Sequence, residues 1–582
     1  MPEKNTPQYG SDLMVELLRT LNIPYVALNP GASFRGLHDS LVQYGNVHVP
    51  QIIECTHEEI SVAVAHGYAK ASGQLMAAAI HNVVGLQHAS MAIYNAWCDR
   101  APVLLLGGTG PMDVAKRRPW IDWIHTALVQ GNLVRDYVKW DDQPATLASL
   151  PDSFYRAWRL ALTEPAGPVY ICLDGALQED PIPAHGDLEI PNPAHFAPAR
   201  SPAPDPKGLD IIADAIRQAS WPVVVADHSG RSEEGFYALS TLAQRWAIPV
   251  IDRGGRLNLP TDHPMNLTGA EEEILAHADV VVAFDVRDLF GTLSGIDRVA
   301  RTTVPMIKDT ARIFAIGLQD YGTRSWTADF QRLMPMEFSM LADTRLALPA
   351  LLEALGTPPP EITARYERVR QQHQDLREEW KRASLEAQNQ VPVATSTLAR
   401  ILFESLGQGP FVLANGDLHG WTHRIGCLDR PRQYLGESGG GGLGYGIGAA
   451  IGAALSYRDS DTLVVDIQSD GDLMFTPGGL WTLAHEKLPV LVVMYNNRSY
   501  YNSEEHQFNM ARHRRRDEQR SEAGTRIEDP NINFAALAAS MGVEGIGPIE
   551  RAQDLSTALA RGIDIVRRER RSVLIDVITQ AR

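Results

Sequence analysis

Two periods of apolar residues take turns along this chain. Short apolar runs at 25–28, 76–80, 103–106 and 169–173 read as buried strands, while 10–21 and 34–42 place apolar residues at three- and four-residue spacing, as amphipathic helices do. Gln51-Ile52-Ile53-Glu54-Cys55-Thr56-His57-Glu58-Glu59 runs from a strand into a helix, with Thr56 the expected N-cap. That helix continues through Ala63 and Ala65 to Gly67-Tyr68-Ala69. Strands alternating with helices predict an α/β fold built on mostly parallel sheets. After a Pro- and Ala-rich linker at 186–206, a second block places strands at 222–226, 249–251 and 280–284 and ends near Leu355, before Pro358-Pro359-Pro360. Residues 361–389 alternate charge at a helical period and read as a solvated linking helix. A third block begins near 391, so three α/β domains are expected, at 1–185, 207–356 and 391–582.

The third block holds the stretch around which the chemistry gathers, TLVVDIQSDGDLMFTPGGLWTLAHEKLPVLVVMYNNRSYYN at 462–502. A strand ends at Ser469-Asp470-Gly471-Asp472, a helix follows, and a second strand ends at Tyr495-Asn496-Asn497. Consecutive parallel strands joined by a helix would bring Asp470 and Asn497 out side by side, at the carboxyl ends where open α/β sheets bind ligands. A carboxylate, an amide oxygen and a backbone carbonyl just beyond Asn497 make a hard-oxygen half-shell suited to Mg²⁺, which fills its octahedron with phosphate oxygens and water. Gly471 and the helix N-terminus after it suit a phosphate.

Composition narrows the field. With 44% hydrophobic and 21% charged residues the chain is an ordinary globular protein. A formal charge of -17 argues against a nucleic-acid surface, despite Arg512-His513-Arg514-Arg515-Arg516. Cys55, Cys98, Cys172 and Cys427 lack paired spacing and read as reduced thiols in a cytoplasmic protein. MPEKNTPQYG has no apolar core to make a signal peptide, and no apolar run approaches the ~20 residues needed to cross a bilayer.

The 462–502 unit resembles the diphosphate-binding motif of thiamine diphosphate (ThDP) enzymes, Gly-Asp-Gly followed some two dozen residues later by Asn-Asn, with Ser469 in place of the first Gly. The resemblance implies that Asp470, Asn497 and the Ser499 carbonyl hold Mg²⁺ on the cofactor diphosphate, with Gly471 and Asp472 close by. Glu58 lies nine residues before the Gly of Gly67-Tyr68-Ala69-Lys70, the family's spacing for the glutamate that hydrogen-bonds the aminopyrimidine ring. Read without the resemblance, Glu58 is a dipole-stabilising helix start. Gly436-Glu437-Ser438-Gly439-Gly440-Gly441-Gly442-Leu443-Gly444 lacks the Lys-Ser/Thr ending of a P-loop. By resemblance Leu443 wedges between the two cofactor rings and the Gly441 carbonyl accepts from the pyrimidine amine. Gly416 and His419, after the strand at 411–415, match the first diphosphate loop.

The chain is most similar to benzoylformate decarboxylase-like members of the acetolactate synthase and pyruvate decarboxylase superfamily, along nearly its whole length. The implied domains are pyrimidine-binding, middle and diphosphate-binding; the implied unit is a homodimer or homotetramer whose sites draw on two subunits. The implied activity is cleavage or formation of a C–C bond next to a carbonyl, with a 2-oxo acid as donor and non-oxidative decarboxylation or carboligation as outcome. Acetolactate synthase-like carboligation, a 2-hydroxyacyl-CoA lyase using the Arg512–Arg516 run, and a non-catalytic regulator with this fold are the alternatives. FAD in the middle domain, as some acetolactate synthases carry, is supported by no residue pattern. His81, 23 residues after Glu58, matches an active-site histidine of the subgroup. Where the subgroup has a substrate-binding Ser, this chain has Ala32, with Ser33 one place on, and the subgroup's second histidine, from the middle domain, has no match at 286–296. Past Asn-Asn the expected apolar pocket residues are Ser503 and His506, beside Glu504 and Glu505, so a polar substrate is expected over benzoylformate.

Overall fold

Valine-, isoleucine- and alanine-rich runs with no polar alternation bury both faces, which demands helices on either side. The computed structural model describes residues 6–45, 49–118, 123–183, 189–321, 330 and 332–581. Its three main sheets are each wholly parallel. The first orders its strands Gln51–Glu54, Tyr25–Leu28, Met76–Ile80, Val103–Thr109, Val169–Asp174 and Asp141–Asp142. The second runs Phe338–Leu341, Arg312–Gly317, Val280–Phe284, Pro222–Ala226 and Val250–Asp252. The third runs Phe411–Asn415, Leu463–Ser469, Val490–Asn496, Val573–Ile578 and Glu544–Ile549. A small antiparallel hairpin, Ser294–Asp297 with Thr302–Pro305, interrupts the second block, a feature that its mixed apolar and polar sequence did not announce.

The first and third sheets share one core, because the helix Glu58–Ser72 packs against the helix Gly446–Ser456. That contact is close enough to select glycine. A Cβ on Gly67 would stand 2.3 Å from the Ala449 carbonyl oxygen, and one on Gly452 would stand 2.1 Å from that of Val64. The family-like Gly-Tyr-Ala run and the Gly/Ala helix are therefore two halves of one joint.

The charged helix Ile362–Glu386 is less solvated than its pattern predicts. It buries Val369, His373 and Ser384. Arg365 donates to the Trp246 and Ala247 carbonyls, and Arg377 to those of His423, Arg424 and Gly426, so this helix ties the second sheet to the third. Long side chains whose tips reach helix-end carbonyls look like surface charge in a sequence. Of the linker, residues 186–188 lie outside the described residues; from 189 to the helix Pro206–Gln218 only the short turn Pro193–Phe196 is regular. No described helix is long and apolar enough to cross a membrane.

The joint makes a direct prediction. Gly67→Ala forces a methyl into backbone, so it should cost about 1–3 kcal/mol in chemical denaturation, where a surface substitution costs a few tenths at most.

Candidate active site

Adjacent parallel strands do bring Asp470 and Asn497 together, the register running from Val464↔Val490 to Ser469↔Tyr495. Ser469, where the family has Gly, caps the four-residue turn Asp470–Leu473 by accepting from the Asp472 N–H. Asp470 is 1% exposed, and neither carboxylate oxygen has a hydrogen-bond partner. Burial pushes its pKa up to about 6, although the amides of Gly471, Arg498 and Ser499 face it and pull the other way. The Asn497 side-chain oxygen accepts from the Ser499 N–H at 2.9 Å, which fixes its direction and leaves a lone pair. A buried carboxylate without a partner is costly in a finished protein; a divalent cation satisfies it. The donor set thus fits a hard cation.

A Cβ on Gly471 would stand 2.7 Å from the Tyr500 ring. The Asp472 carboxylate is committed within the protein, accepting from Gly444 N at 2.7 Å, Gly446 N at 3.1 Å and Gln468 Nε2 at 2.6 Å. It clamps the glycine-rich loop to the strand end. Gly416 sits at φ 82° with the Ile467 carbonyl where a Cβ would go, and the His419 ring lies edge-on to Tyr495. Gly441, at φ 65°, has open space on its Cβ side, and Leu443 stands 37% exposed at the loop tip. Both have the openness that a cofactor contact requires.

Glu58 is 6% exposed in the first turn of its helix. The N-cap is His57, whose ring accepts from the Glu59 N–H, and not Thr56, whose hydroxyl packs where a Cβ on Gly478 would lie. Glu58 Oε2 is 3.4 Å from His88 Nδ1, and the ligand atoms of His57, Glu58 and His88 lie within 4.8 Å of one another. A Cβ on Gly85 would stand 2.8 Å from Glu58 Oε1 and 2.9 Å from His81 Cβ, which brings the carboxylate and His81 to one patch of backbone. His81 Nδ1 is 2.9 Å from Ser33 Oγ, and its Nε2 is 3.4 Å from His125 Nδ1.

Ser33 is 2% exposed and packed on Gly108, while Ala32 is exposed in the neighbouring turn. In the helix Tyr501–His513, Ser503 and His506 point to solvent; Glu504 is buried, accepting from Ser499 Oγ and paired with Arg526 at 3.1 Å.

Sequence reasoning missed His125, His88 and Glu59. Nothing local marks His125; it is placed when Val83 N donates to its carbonyl at 3.1 Å. Glu59 carries a signal only in hindsight: burial, helped by Asp472, raises its pKa to about 7, and its carboxylate reaches Gly444 of the loop.

Known proteins share the domains and the fold. Residues 8–131 match the family model for the N-terminal TPP-binding domain of thiamine pyrophosphate enzymes, and 414–577 match the C-terminal one. The chain belongs to the thiamine diphosphate-dependent enzymes. It is 23% identical to the acetolactate synthase large subunit of Lactococcus lactis, covering 94% of this chain and 90% of that one. It is 23% identical to acetolactate synthase 3 of Brassica napus, covering 84% and 72%. The fold is similar to benzoylformate decarboxylase of Polynucleobacter necessarius (TM-score 0.77, 19% identity, 99% of both chains). It is also similar to 4-hydroxybenzoylformate decarboxylase of Rhodococcus jostii (TM-score 0.76, 18%, 98% and 99%).

Two consequences of the Asp470 environment can be measured. Its folded pKa lies above the unfolded 3.8, so the native state binds the extra proton. Stability of the cofactor-free chain then falls as pH rises from about 4 through about 6. Asp470→Asn should stabilise that chain by roughly 3 kcal/mol at pH 7.5 and by almost nothing at pH 4. The same variant should lose Mg²⁺-dependent retention of ThDP on gel filtration; full retention would remove Asp470 from the metal.

Proposed function

We propose that this chain is a ThDP- and Mg²⁺-dependent enzyme that removes CO₂ from a 2-oxo acid without oxidation. The observation that carries it is the pairing of a buried, unpartnered Asp470 with a second buried carboxylate, Glu58, set among His57, His81 and His88. A non-catalytic member of the fold has no use for either.

Asp470 and Asn497, with the Ser499 carbonyl, would hold Mg²⁺ on the diphosphate, Gly416 and His419 would line that end, and Leu443 and Gly441 would meet the rings. Bound ThDP supplies a thiazolium that takes up the electron pair released when the bond beside the carbonyl breaks. Glu58 would hold a proton at the aminopyrimidine, and its low exposure keeps water from competing there. His81, caged by Gly31 and Gly85, cannot swing, so the imidazoles beside Glu58 keep a fixed direction toward the substrate. The Arg512–Arg516 run lies exposed at and beyond the end of its helix, which gives the acyl-CoA reading no built site.

The likeness to acetolactate synthases supports a second outcome, ligation of the decarboxylated fragment to another carbonyl compound. One experiment separates the two: incubate a panel of 2-oxo acids with ThDP and Mg²⁺, and measure CO₂, aldehyde and ligated product. Aldehyde as the main product is expected; CO₂ from no 2-oxo acid would sink the proposal.

We also place each site between two copies of the chain, with Glu58 from one and Asp470 from the other. Glu58→Gln and Asp470→Ala should each be inactive alone, yet regain activity when co-expressed, because a mixed dimer holds one site with neither defect. A single-chain site predicts no recovery.

A further inference from the structure

We propose that His57, Glu58 and His88 form a second metal site, for a borderline divalent cation of the zinc class, and that an ion held there bars the aminopyrimidine end of the cofactor from Glu58. The ion's binding stands on these three side chains alone. Its effect on the cofactor rests on reading Glu58 as the carboxylate that meets the ring.

Glu58 supplies the need for a cation. It is 6% exposed, and its one hydrogen-bonding contact among the described residues, to His88 Nδ1, spans 3.4 Å, long for a bond to a carboxylate. A buried carboxylate with so little around it is costly, and a divalent ion satisfies it.

The donors choose the ion. The ligand atoms of the three residues lie within 4.8 Å of one another. Four-coordinate zinc, with ligands ~2.0–2.1 Å away, spaces them about 3.4 Å apart, so the His88–Glu58 pair already has the right separation. The remaining closure falls to His88, whose side chain is 52% exposed and only stacks on His57, with centroids 5.0 Å apart and planes at 19°. Glu58 is held in the first turn of its helix, and the bare Gly85 backbone keeps close to its Oε1. Two imidazoles and one carboxylate favour zinc-class ions over Mg²⁺, whereas the oxygens of Asp470, Asn497 and Ser499 have the opposite preference. One chain thus sorts two classes of cation between the two ends of one cofactor.

The protons balance. His57 Nδ1 accepts from the Glu59 N–H at 3.2 Å, so that ring is neutral and carries its proton on Nε2. Nε2 has no hydrogen-bond partner among the described residues. To give its lone pair to an ion, Nε2 passes its proton to Nδ1 through solvent; none is released, and the cap on Glu59 is given up. That cap is at the long end of its range, which makes it the bond to yield. Water completes the coordination.

The test uses the whole chain, free of cofactor and metal, dialysed against Zn²⁺. Wild type should take up one tightly bound ion per chain. His88→Phe, which keeps a ring on His57 but offers no ligand atom, should weaken uptake at least about tenfold, the loss that even outer-shell partners of a metal produce. Asp470→Ala should leave uptake unchanged, which separates this ion from Mg²⁺. Zinc-loaded wild type should retain little ThDP on gel filtration with Mg²⁺ present, a chelator should restore it, and zinc should have no such effect on His88→Phe. Equal zinc uptake by wild type and His88→Phe would overturn the site. Zinc bound in full with ThDP still retained would overturn the exclusion. A chain that shows both effects yet releases CO₂ from no 2-oxo acid would overturn the reaction and leave the metal site standing.

Discussion

One ammonium group holds the parts of this molecule in register. Lys70 is buried, and its three protons go to Asp99 Oδ2 at 3.0 Å and to the carbonyls of Gly436 and Glu437 at 3.1 and 2.9 Å. Asp99 also has His66 Nε2 at 2.9 Å, and its own carbonyl accepts from Arg256 of the second block. Burial alone would raise the Asp99 pKa, but Lys70, His66 and Arg256 outweigh it and hold the carboxyl well below its usual range. Burial drops Lys70 to about 8 and His66 to about 4, so near neutral pH the charged pair is Lys70 with Asp99, and His66 is neutral. A buried ion pair of this kind adds little net stability, but removing one partner strands the other, so it specifies an arrangement more than it strengthens one. Here the arrangement is the origin of the glycine-rich loop relative to the helix that begins with Glu58.

From that origin the loop is set twice more. Asp472 grips its far end through Gly444 and Gly446, and Asn95 brackets Gly442, accepting from its N–H at 3.2 Å and donating to its carbonyl at 3.3 Å. Leu443 is left as the side chain that stands free. A backbone with this many glycines would otherwise be mobile. Its conformation is supplied by side chains from two sheets, so a defect in either should move Leu443.

The sheets, their parallel sense and the Asp470–Asn497 pairing were legible because they depend on periodicity and on short-range connection rules. Glu58 was legible through spacing to a glycine, and the structure gives that spacing its physics: Gly67 is where two helices touch, and Glu58 begins the same helix. What stayed hidden depends on distant segments. His125 and Ser33 meet His81 from turns 92 residues apart in the chain, a contact that no window of sequence contains. The rotation of the helix Tyr501–His513, which turns Glu504 inward and Ser503 and His506 out, was not legible either. Motif matching finds residues whose neighbours are fixed by local geometry; it fails where rotation of an element decides.

The two acidic residues that open the Glu58–Ser72 helix are held in different directions by the same packing. Successive residues on a helix point about 100° apart, so Glu58 and Glu59 cannot serve one cleft. Within this chain Glu59 is the one that turns toward the loop and Asp472, while Glu58 turns to His57, His88 and the Gly85 backbone. The helix–helix joint at Gly67, Ala449 and Gly452 forbids the rotation that would exchange them, since either helix would drive side chains into backbone. The joint therefore fixes which of the two carboxylates faces the glycine-rich loop.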